Sequence, residues 1–192
     1  MPTVELDRLT FSYAAYIGVG RHIRALMKDR TQTNDKKRGP EDWGNDIEAA
    51  CAECAYALWA NMFWMGGGNR LDHYDVGHVS IKHTVRPNGR LLIAPEDAKK
   101  FTEETPVVLV VGTAPVMDLV GWLPMGAITT DRNWNLDMPR PCWAVTQGDL
   151  RQMEELPLVA VVDGKGKVVK LLSGEPDPAR TEAALLSAAD QK

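Results

Sequence analysis

The stretch that decides the fold covers residues 75–123 and reads DVGHVSIKHTVRPNGRLLIAPEDAKKFTEETPVVLVVGTAPVMDLVGWL. From Asp75 onward its apolar residues alternate with polar ones, which is the period of a half-buried β-strand. Val79 and Ile81 point to one face of this strand. The opposite, polar face carries His78, Ser80, Lys82 and Thr84. The pattern therefore predicts a strand with one face in the core and one face lined by groups that can do chemistry.

Three further strands are predicted in the same stretch. After the Pro-Asn-Gly turn signal at 87–89, RLLIA (90–94) is expected to pair back as the second strand of a hairpin. PVVLVVG (106–112) is a continuous apolar run typical of a central strand covered on both faces. VMDLVGWL (116–123) follows a Thr-Ala-Pro turn and is expected to be its antiparallel neighbour. The sequence thus predicts an α/β fold with a sheet of these four strands.

Two helices are predicted before the sheet. Residues 4–29 place apolar side chains at near-helical spacing, which predicts one amphipathic helix that packs on the rest of the domain, with Gly18 and Gly20 as points of disturbance. Its apolar residues are Leu6, Leu9, Tyr13, Tyr16, Ile17, Ile23 and Leu26. The Ala-rich stretch 46–64 predicts a mostly buried helix that is stopped by the glycines at 66–68.

The C-terminal part is predicted to be an appendage. A short segment, CWAVTQ (142–147), and a small helix near 148–154 end the main domain. LVAVVDGKGKVVKLL (158–172) predicts a hairpin, which is followed by a short helix. We therefore expect one domain over 1–155 and a β-hairpin and helix appendage over 156–192.

The bulk composition describes an ordinary globular protein and narrows the function classes. Of its 192 residues, 44% are hydrophobic and 25% are charged, and the formal net charge is −4. This negative charge argues against a protein that coats nucleic acid through bulk electrostatics. No apolar run approaches the roughly 18 residues needed to span a bilayer, and the N-terminus lacks the order of a signal peptide. Because the three cysteines give no disulfide framework either, we expect a cytoplasmic protein.

A local basic segment lies between residues 21 and 38 in spite of the negative total. Its cations are Arg21, Arg24, Lys28, Arg30, Lys36, Lys37 and Arg38, against two acids, Asp29 and Asp35. A solvated helix face that runs into an exposed loop explains such a run. A contact surface for nucleic acid explains it as well.

Three residues in this order of elements can carry hydrolytic chemistry. Glu53 lies in the second predicted helix, Asp75 opens the first strand and Lys82 follows on its polar face. A carboxylate in an Ala-rich, buried helix needs a partner or a metal ion. Hydrolysis of a phosphodiester needs a carboxylate-held divalent ion, which polarises the phosphate and lowers the pKa of a bound water, and a cation that orients this water. Two acids and a lysine are the minimum set for that reaction.

This order resembles the PD-(D/E)XK nuclease superfamily, in which a helical Glu, a strand Asp and an (Asp/Glu/Gln)-x-Lys element meet on a mixed sheet. IEAACAECAYAL around Glu53, DVGHVSIKHTVRPNGRLLIAPED from Asp75 to Asp97 and VVLVVGTAPVMDLVGWLPMGA are similar to an uncharacterised phage-associated family of that superfamily. YIGVGRHIRALMKDR and RPCWAVTQGDL extend the resemblance to roughly residues 11–150. It implies that 1–155 is a nuclease-like domain with a restriction-endonuclease-like core, an α/β (α+β) fold whose four-stranded mixed sheet is flanked by helices.

The resemblance also implies roles for individual residues. By position, Glu53 is the helical acid, Asp75 the principal metal ligand and Lys82 the catalytic lysine. Ser80 stands where the superfamily usually has an acid, and a neutral hydroxyl binds hard cations weakly. With Glu53 and Asp75 retained, one ion, Mg²⁺ or Mn²⁺, is expected, completed by the Ile81 carbonyl.

The function that the resemblance implies is a phage-type, metal-dependent nuclease that acts on DNA rather than RNA, a hydrolase of the host cytoplasm. Candidate nucleic-acid contacts are Arg21, Arg24, Lys28, Lys36, Lys37, Arg38 and Arg86. The alternative is a catalytically inactive nuclease-fold protein that binds nucleic acid or a phage or host protein. In this alternative, Ser80 in place of the usual acid indicates that the metal site is lost. A homodimer is compatible with either function.

Two other clusters allow different chemistry. Cys51 and Cys54 form a CxxC, and with His73 and His78 downstream a Cys2His2 zinc site can be written. The two cysteines fall inside a helical run, so packing of small residues on a buried helix face explains them better than zinc or redox chemistry does. His78 shares the polar face of the first strand, where it can assist a metal or a phosphate, whereas His83 opposes that face.

Overall fold

The computed structural model describes residues 1–28, 42–66, 74–138, 140–162 and 168–172. In these parts the α-helices are α1 (Arg8–Met27), α2 (Trp43–Trp59), α3 (Pro95–Ala98) and α4 (Met125–Ile128). The strands are β1 (Thr3–Glu5), β2 (Ser80–Thr84), β3 (Leu91–Ile93), β4 (Pro106–Thr113), β5 (Val116–Pro124), β6 (Trp134–Asn135), β7 (Cys142–Val145), β8 (Val159–Val162) and β9 (Val168–Leu172).

The main sheet has four strands in the order β1-β5-β4-β2 and mixes both strand directions. β4 is antiparallel to β5 and parallel to β2, with Lys82 of β2 opposite Leu109 of β4. β1 pairs antiparallel with the other edge of β5. Residues 106–111 of β4 are all buried, as expected for a strand covered on both faces. The predictions of a buried central strand, of its antiparallel neighbour and of an α/β fold with a four-stranded mixed sheet are confirmed.

The predicted hairpin between β2 and RLLIA (90–94) is wrong. β3 pairs antiparallel with β7, and β6 extends this second, three-stranded sheet. The short β1 takes the remaining place in the main sheet. The physical reason is that Leu91 and Ile93 are fully buried against one face of β4, and a strand lying within the main sheet cannot cover that sheet's own face.

Each face of the main sheet builds its own core. One face places Val108 and Val110 of β4 against the buried residues of α2, on which α1 lies. The other face places Val107, Leu109 and Val111 under β3, β7 and α4. The alternation of β4 side chains between the two clusters follows from strand geometry. The fold is thus layered as helices, main sheet and second sheet.

α1 begins later than predicted because the first residues form a strand and Asp7 caps the helix. The Asp7 carboxylate accepts a hydrogen bond from the Thr10 N–H at 2.7 Å. The helix runs through both of its glycines without interruption, so the predicted disturbance is wrong. At Gly18 a Cβ atom would lie 2.5 Å from Ile47 Cα. The missing side chain therefore lets α1 and α2 pack closely.

The face of α1 that packs on α2 differs from the predicted one. Its buried residues are the small or polar Ala14, Gly18, His22 and Ala25. Five of the apolar side chains expected to pack are exposed, namely Leu9, Tyr13, Tyr16, Ile23 and Leu26. The prediction is wrong for these five, because close approach of the two helices selects small side chains at the contact and leaves the large ones outside.

α2 ends at Trp59 rather than at residue 64. Its last turn closes on Ala60, and Asn61 takes a left-handed φ of 51°. The segment that follows brings Trp64 back to a buried position, where its indole contacts Glu53 of the same helix. Residues 50–57 of α2 are all buried, which confirms the prediction of a mostly buried helix.

The C-terminal region contains the predicted hairpin, since β8 and β9 pair antiparallel. Its turn and the helix predicted after it lie outside the described residues. The helix predicted near 148–154 is wrong in type, because two 3-10 turns, Gln147–Asp149 and Met153–Glu155, occupy this stretch. Among the described residues, no helix combines the length and the apolar character that crossing a membrane requires.

Candidate active site

Asp75, the predicted metal ligand, stands at the start of a tight turn. Its backbone N–H donates to the Val79 carbonyl at 3.1 Å, and Gly77 within the turn has a φ of 58°. The turn folds the Asp75 side chain back onto β2. There Oδ2 accepts hydrogen bonds from the Ile81 N–H at 2.6 Å and from Ser80 Oγ at 3.3 Å. The prediction of a strand that begins at Asp75 is therefore wrong, and the residue is held at the start of β2 instead.

Glu53, the helical acid, is buried in α2 with 6% of its surface exposed. Arg21 of α1 binds it with two hydrogen bonds, Nη1 to Oε1 and Nη2 to Oε2, each 2.6 Å long. Trp64 Nε1 donates to Oε2 at 3.1 Å, and Arg21 Nη2 also donates to the Gly66 carbonyl at 2.9 Å. Such a bidentate pair compensates the charge of a carboxylate that has lost its water.

Glu53 and Asp75 lie close enough for their charges to interact. Burial raises the pKa of Glu53, and the charge of Asp75 adds to this effect while Arg21 opposes it. Burial also raises the pKa of Asp75, against the lowering effects of the Ile81 N–H, of Lys82 and of Arg21. Two desolvated carboxylates whose charges interact mark a place where a cation is favourable.

Lys82 interacts with Asp75 through its charge and with Asp97 of α3 through an ion pair. Lys82 Nζ donates to Asp97 Oδ2 at 2.8 Å, and Lys100 Nζ donates to Oδ1 at 2.8 Å. Burial pushes the pKa of Asp97 upward, but the two ammonium groups hold it below its usual value. Asp97 had no predicted role. Its sequence signal is an acid in the first turn of a helix that starts with Pro95.

Side chains from α1, α2, the turn before β2 and β2 itself therefore meet in one place. The predicted catalytic residues at this site are Glu53, Asp75, Ser80 and Lys82. Arg21, predicted as a nucleic-acid contact, joins them as the partner of Glu53. Ile81, predicted to offer its carbonyl to a metal, contributes its N–H to Asp75.

Of the remaining predicted nucleic-acid contacts, the three that the structure describes do not join the site. Arg24 and Lys28 are exposed near the end of α1, and Arg86 is exposed in the turn after β2. Lys36, Lys37 and Arg38 lie outside the described residues. The described candidates outside the site are thus divided between two separate elements.

The histidines near the site have partners of their own. His78 is buried in the turn before β2, and its Nε2 lies 3.1 Å from the Pro157 carbonyl. His83 Nε2 lies 3.0 Å from the Gly112 carbonyl. His73 lies outside the described residues. Both described side chains are therefore engaged by backbone carbonyls.

Cys51 and Cys54 are buried free thiols in the core between α2 and the main sheet. Burial raises the pKa of Cys51 to about 12 and that of Cys54 to about 11. Both groups are protonated thiols at neutral pH, whereas the thiolate is the form that binds metals or attacks disulfides. This environment favours the packing interpretation of the CxxC.

The oxygen ligands of the site set a limit on metal binding. Within the described ranges, no group of three or more His, Cys, Asp or Glu side chains is placed to hold a metal ion. Asp75 accepts hydrogen bonds from Ile81 and Ser80 through Oδ2, while both oxygens of Glu53 accept hydrogen bonds from Arg21. The residues fit one hard cation bound by Asp75, with Glu53 added only when it releases Arg21. They do not fit a two-ion centre.

Comparison with known proteins found no match, whether among protein-family models, curated proteins or solved structures. The basis for a function is therefore the site itself, that is, the side chains that meet beside β2 and their partners.

Proposed function

We propose that the protein is a metal-dependent nuclease that hydrolyses phosphodiester bonds in DNA, built on a restriction-endonuclease-like core. The observation that carries the proposal is the convergence of Glu53, Asp75 and Lys82 from a helix, a turn and a strand. Buried carboxylates with raised pKa values that converge with a cation are typical of catalytic sites. The order of helical acid, second acid and strand lysine also resembles that of the PD-(D/E)XK nucleases.

The partners of each residue suggest its role. Asp75 would hold one Mg²⁺ or Mn²⁺ through its carboxylate, and the Ser80 hydroxyl would position that carboxylate instead of binding the ion. When bound, the ion polarises the phosphate and lowers the pKa of a water molecule. Lys82 supplies the positive charge that orients this water. Asp97 fixes the Lys82 ammonium group through their 2.8 Å ion pair.

The Arg21–Glu53 pair offers the site a second cation, besides Lys82, that could bind a phosphate group. While closed, the pair keeps the Glu53 charge neutralised beside Asp75. If it opened, Glu53 would be available as a second carboxylate for the ion, and the Arg21 guanidinium would be available as a bidentate donor for a phosphate group. Substrate and metal ion together can offset the free energy that opening costs.

DNA cleavage with and without Mg²⁺ tests the proposal. Asp75→Asn and Lys82→Ala should abolish Mg²⁺-dependent cleavage. The matched controls Asp131→Asn and Lys99→Ala change exposed residues and should retain it. Circular dichroism of all four variants separates loss of chemistry from loss of folding. Equal cleavage by wild type, Asp75→Asn and Lys82→Ala would contradict the proposal.

A second candidate function is a catalytically inactive nuclease-fold protein that binds nucleic acid or a phage or host protein. Two observations favour it. Arg21 engages both carboxylate oxygens of Glu53, and the neutral Ser80 stands where an acid is expected. This function predicts salt-sensitive DNA binding that is unchanged by EDTA. Fluorescence anisotropy of labelled DNA at several salt concentrations measures it directly.

A further inference from the structure

A stripe of large apolar side chains runs along the outer face of α1. It consists of Leu9, Tyr13, Tyr16, Ile23 and Met27, with exposed fractions of 76%, 47%, 75%, 43% and 82%. The stripe lies opposite the face of α1 that packs on α2. Monomeric proteins rarely expose large contiguous apolar patches, and such patches mark interaction surfaces. The stripe therefore indicates a surface that a partner covers.

The spacing of the stripe identifies the kind of partner. Counting Gly20, its positions follow each other at intervals of four, three, four, three and four residues. This is the repeat of the seam along which two helices pack in a coiled coil. α1 has 20 residues, so that the helix spans about 30 Å. A surface of this length and period fits another helix of similar length.

We propose that this partner is α1 of a second copy of the chain, packed antiparallel in a two-fold dimer. The same patch then lies on both sides of the interface, as two-fold symmetry requires. The pairs across the axis are Leu9 with Met27, Tyr13 with Ile23, and Tyr16 with Gly20. Every side chain of the stripe thus has an apolar partner or a space that accepts it. The proposal does not depend on the chemistry of the candidate active site.

Gly20 favours the antiparallel arrangement. A Cβ atom built at Gly20 meets nothing within 4 Å, so that the glycine leaves an open notch in the middle of the stripe. In a parallel pair, two Tyr16 rings would meet, and two Gly20 residues would face each other across a gap. In the antiparallel pair each notch receives the Tyr16 ring of the partner. Specific interfaces are packed as densely as protein interiors, so the second arrangement is favoured.

The charges on α1 fit this arrangement. The helix contains no acidic residue, and Arg8, Arg24 and the following Lys28 lie beside the seam rather than in it. Pairing therefore buries no charge. A nucleic acid could use the three cations, but most of its contacts are polar and would leave Leu9 and Met27 without apolar partners. A helix with the same apolar stripe provides apolar partners for both Leu9 and Met27.

Sedimentation velocity of the full chain tests the proposal. The wild type should sediment as a dimer, and Tyr16→Glu, which places a charge in the seam, should be monomeric and folded. Leu58→Glu is the matched control, because Leu58 is an exposed apolar residue of α2 outside the stripe, and this variant should remain dimeric. A monomeric wild type overturns the proposal, as does a dimer that survives Tyr16→Glu.

Cysteine cross-linking tests the direction of the pair. Positions 9 and 27 lie about 27 Å apart along one helix, so they cannot form a disulfide within a chain. The double variant Leu9→Cys/Met27→Cys should form a covalent dimer on mild oxidation, whereas either single variant should not. Dimers from the single variants would overturn the antiparallel arrangement. If Tyr16→Glu fails to fold, Gly20→Leu replaces it: the new side chain has open space in the monomer, fills the notch and should weaken the dimer.

Discussion

Arg21 Nη1 and Nη2 each lie 2.6 Å from one oxygen of the Glu53 carboxylate, so that the two side chains form a closed, two-pronged ion pair between α1 and α2. The side chains are only 16% and 7% exposed. If one partner is removed, water therefore hydrates the charge of the remaining partner poorly. Because Glu53 also interacts with Asp75, this pair links the packing of the two helices to the candidate chemistry.

Replacement of Arg21 by Ala should destabilise the fold by about 3–5 kcal/mol, because it leaves a buried carboxylate without its counter-charge. The double variant Arg21→Met/Glu53→Leu removes both charges and should recover most of that loss. Arg24→Ala, an exposed change on the same helix, is the control and should stay within about 0.5 kcal/mol of wild type. Urea unfolding measures all three. An Arg21→Ala protein as stable as Arg24→Ala would show that the pair contributes nothing.

Replacement of Gly18 by Ala should destabilise the protein by about 1–3 kcal/mol, although Ala favours helix formation. The new Cβ would lie 2.5 Å from Ile47 Cα and 2.7 Å from the Asp46 carbonyl oxygen, which forces α1 away from α2. Gly44→Ala in α2 is the control, since a Cβ there meets nothing within 4 Å. Thermal unfolding compares the two variants. A melting temperature for Gly18→Ala at or above that of Gly44→Ala contradicts the close packing.

His78 should contribute a loss of stability as the pH is lowered through the range in which histidine titrates. Burial lowers the pKa of His78 from its usual 6.5. As the pH falls, the unfolded chain therefore takes up the proton first, and the free energy of unfolding decreases between the usual and the lowered pKa. Between about pH 7.5 and about pH 5.5, urea unfolding should show that the wild type loses more stability, or gains less, than His78→Gln does. The same pH dependence in both proteins would rule out this contribution.

Asp97→Asn should lower the rate of Mg²⁺-dependent cleavage about tenfold, less than Lys82→Ala does, because Asp97 positions the lysine without replacing it. The ion pair is partly exposed, so the loss of stability should be small, about 0.2–1 kcal/mol. Glu96→Gln, an exposed change in the same short helix, is the control. Single-turnover cleavage rates measure the effect. A rate for Asp97→Asn equal to that of Glu96→Gln would remove Asp97 from the site.

The parts of the fold that sequence patterns predict are those whose signal is local. β4 and β5 stand out because an unbroken apolar run and a following apolar strand are sufficient to identify a buried pair. The pairing of β3 is not predicted, because its partner β7 lies far along the chain and no local pattern specifies the pairing. The packing face of α1 is hidden for another reason. Close helix contact depends on the small residues Ala14 and Gly18, whereas hydrophobic periodicity gives weight to large ones.

The candidate site shows the same division. Glu53, Asp75 and Lys82 could be selected by residue type and order, and in the structure Asp75 interacts through its charge with Glu53 and with Lys82. The pairing of Arg21 with Glu53 could not be predicted, because in the sequence Arg21 belongs to a run of cations that is typical of an exposed surface. Asp97 likewise reaches Lys82 only because α3 and β2 are neighbours in space. Ion pairs between distant elements follow from tertiary packing and leave little trace in a single sequence.

Calorimetric titration of Mg²⁺ and Mn²⁺ into the wild-type protein and into Asp75→Asn tests the central claim most directly, because it measures metal binding without any assumption about the substrate. The proposed site predicts one bound ion per chain in the wild type and none in Asp75→Asn, with Asp131→Asn behaving as the wild type. Binding of equal strength in the wild type and in Asp75→Asn, or no binding in the wild type, would contradict a metal-dependent nuclease centred on Asp75.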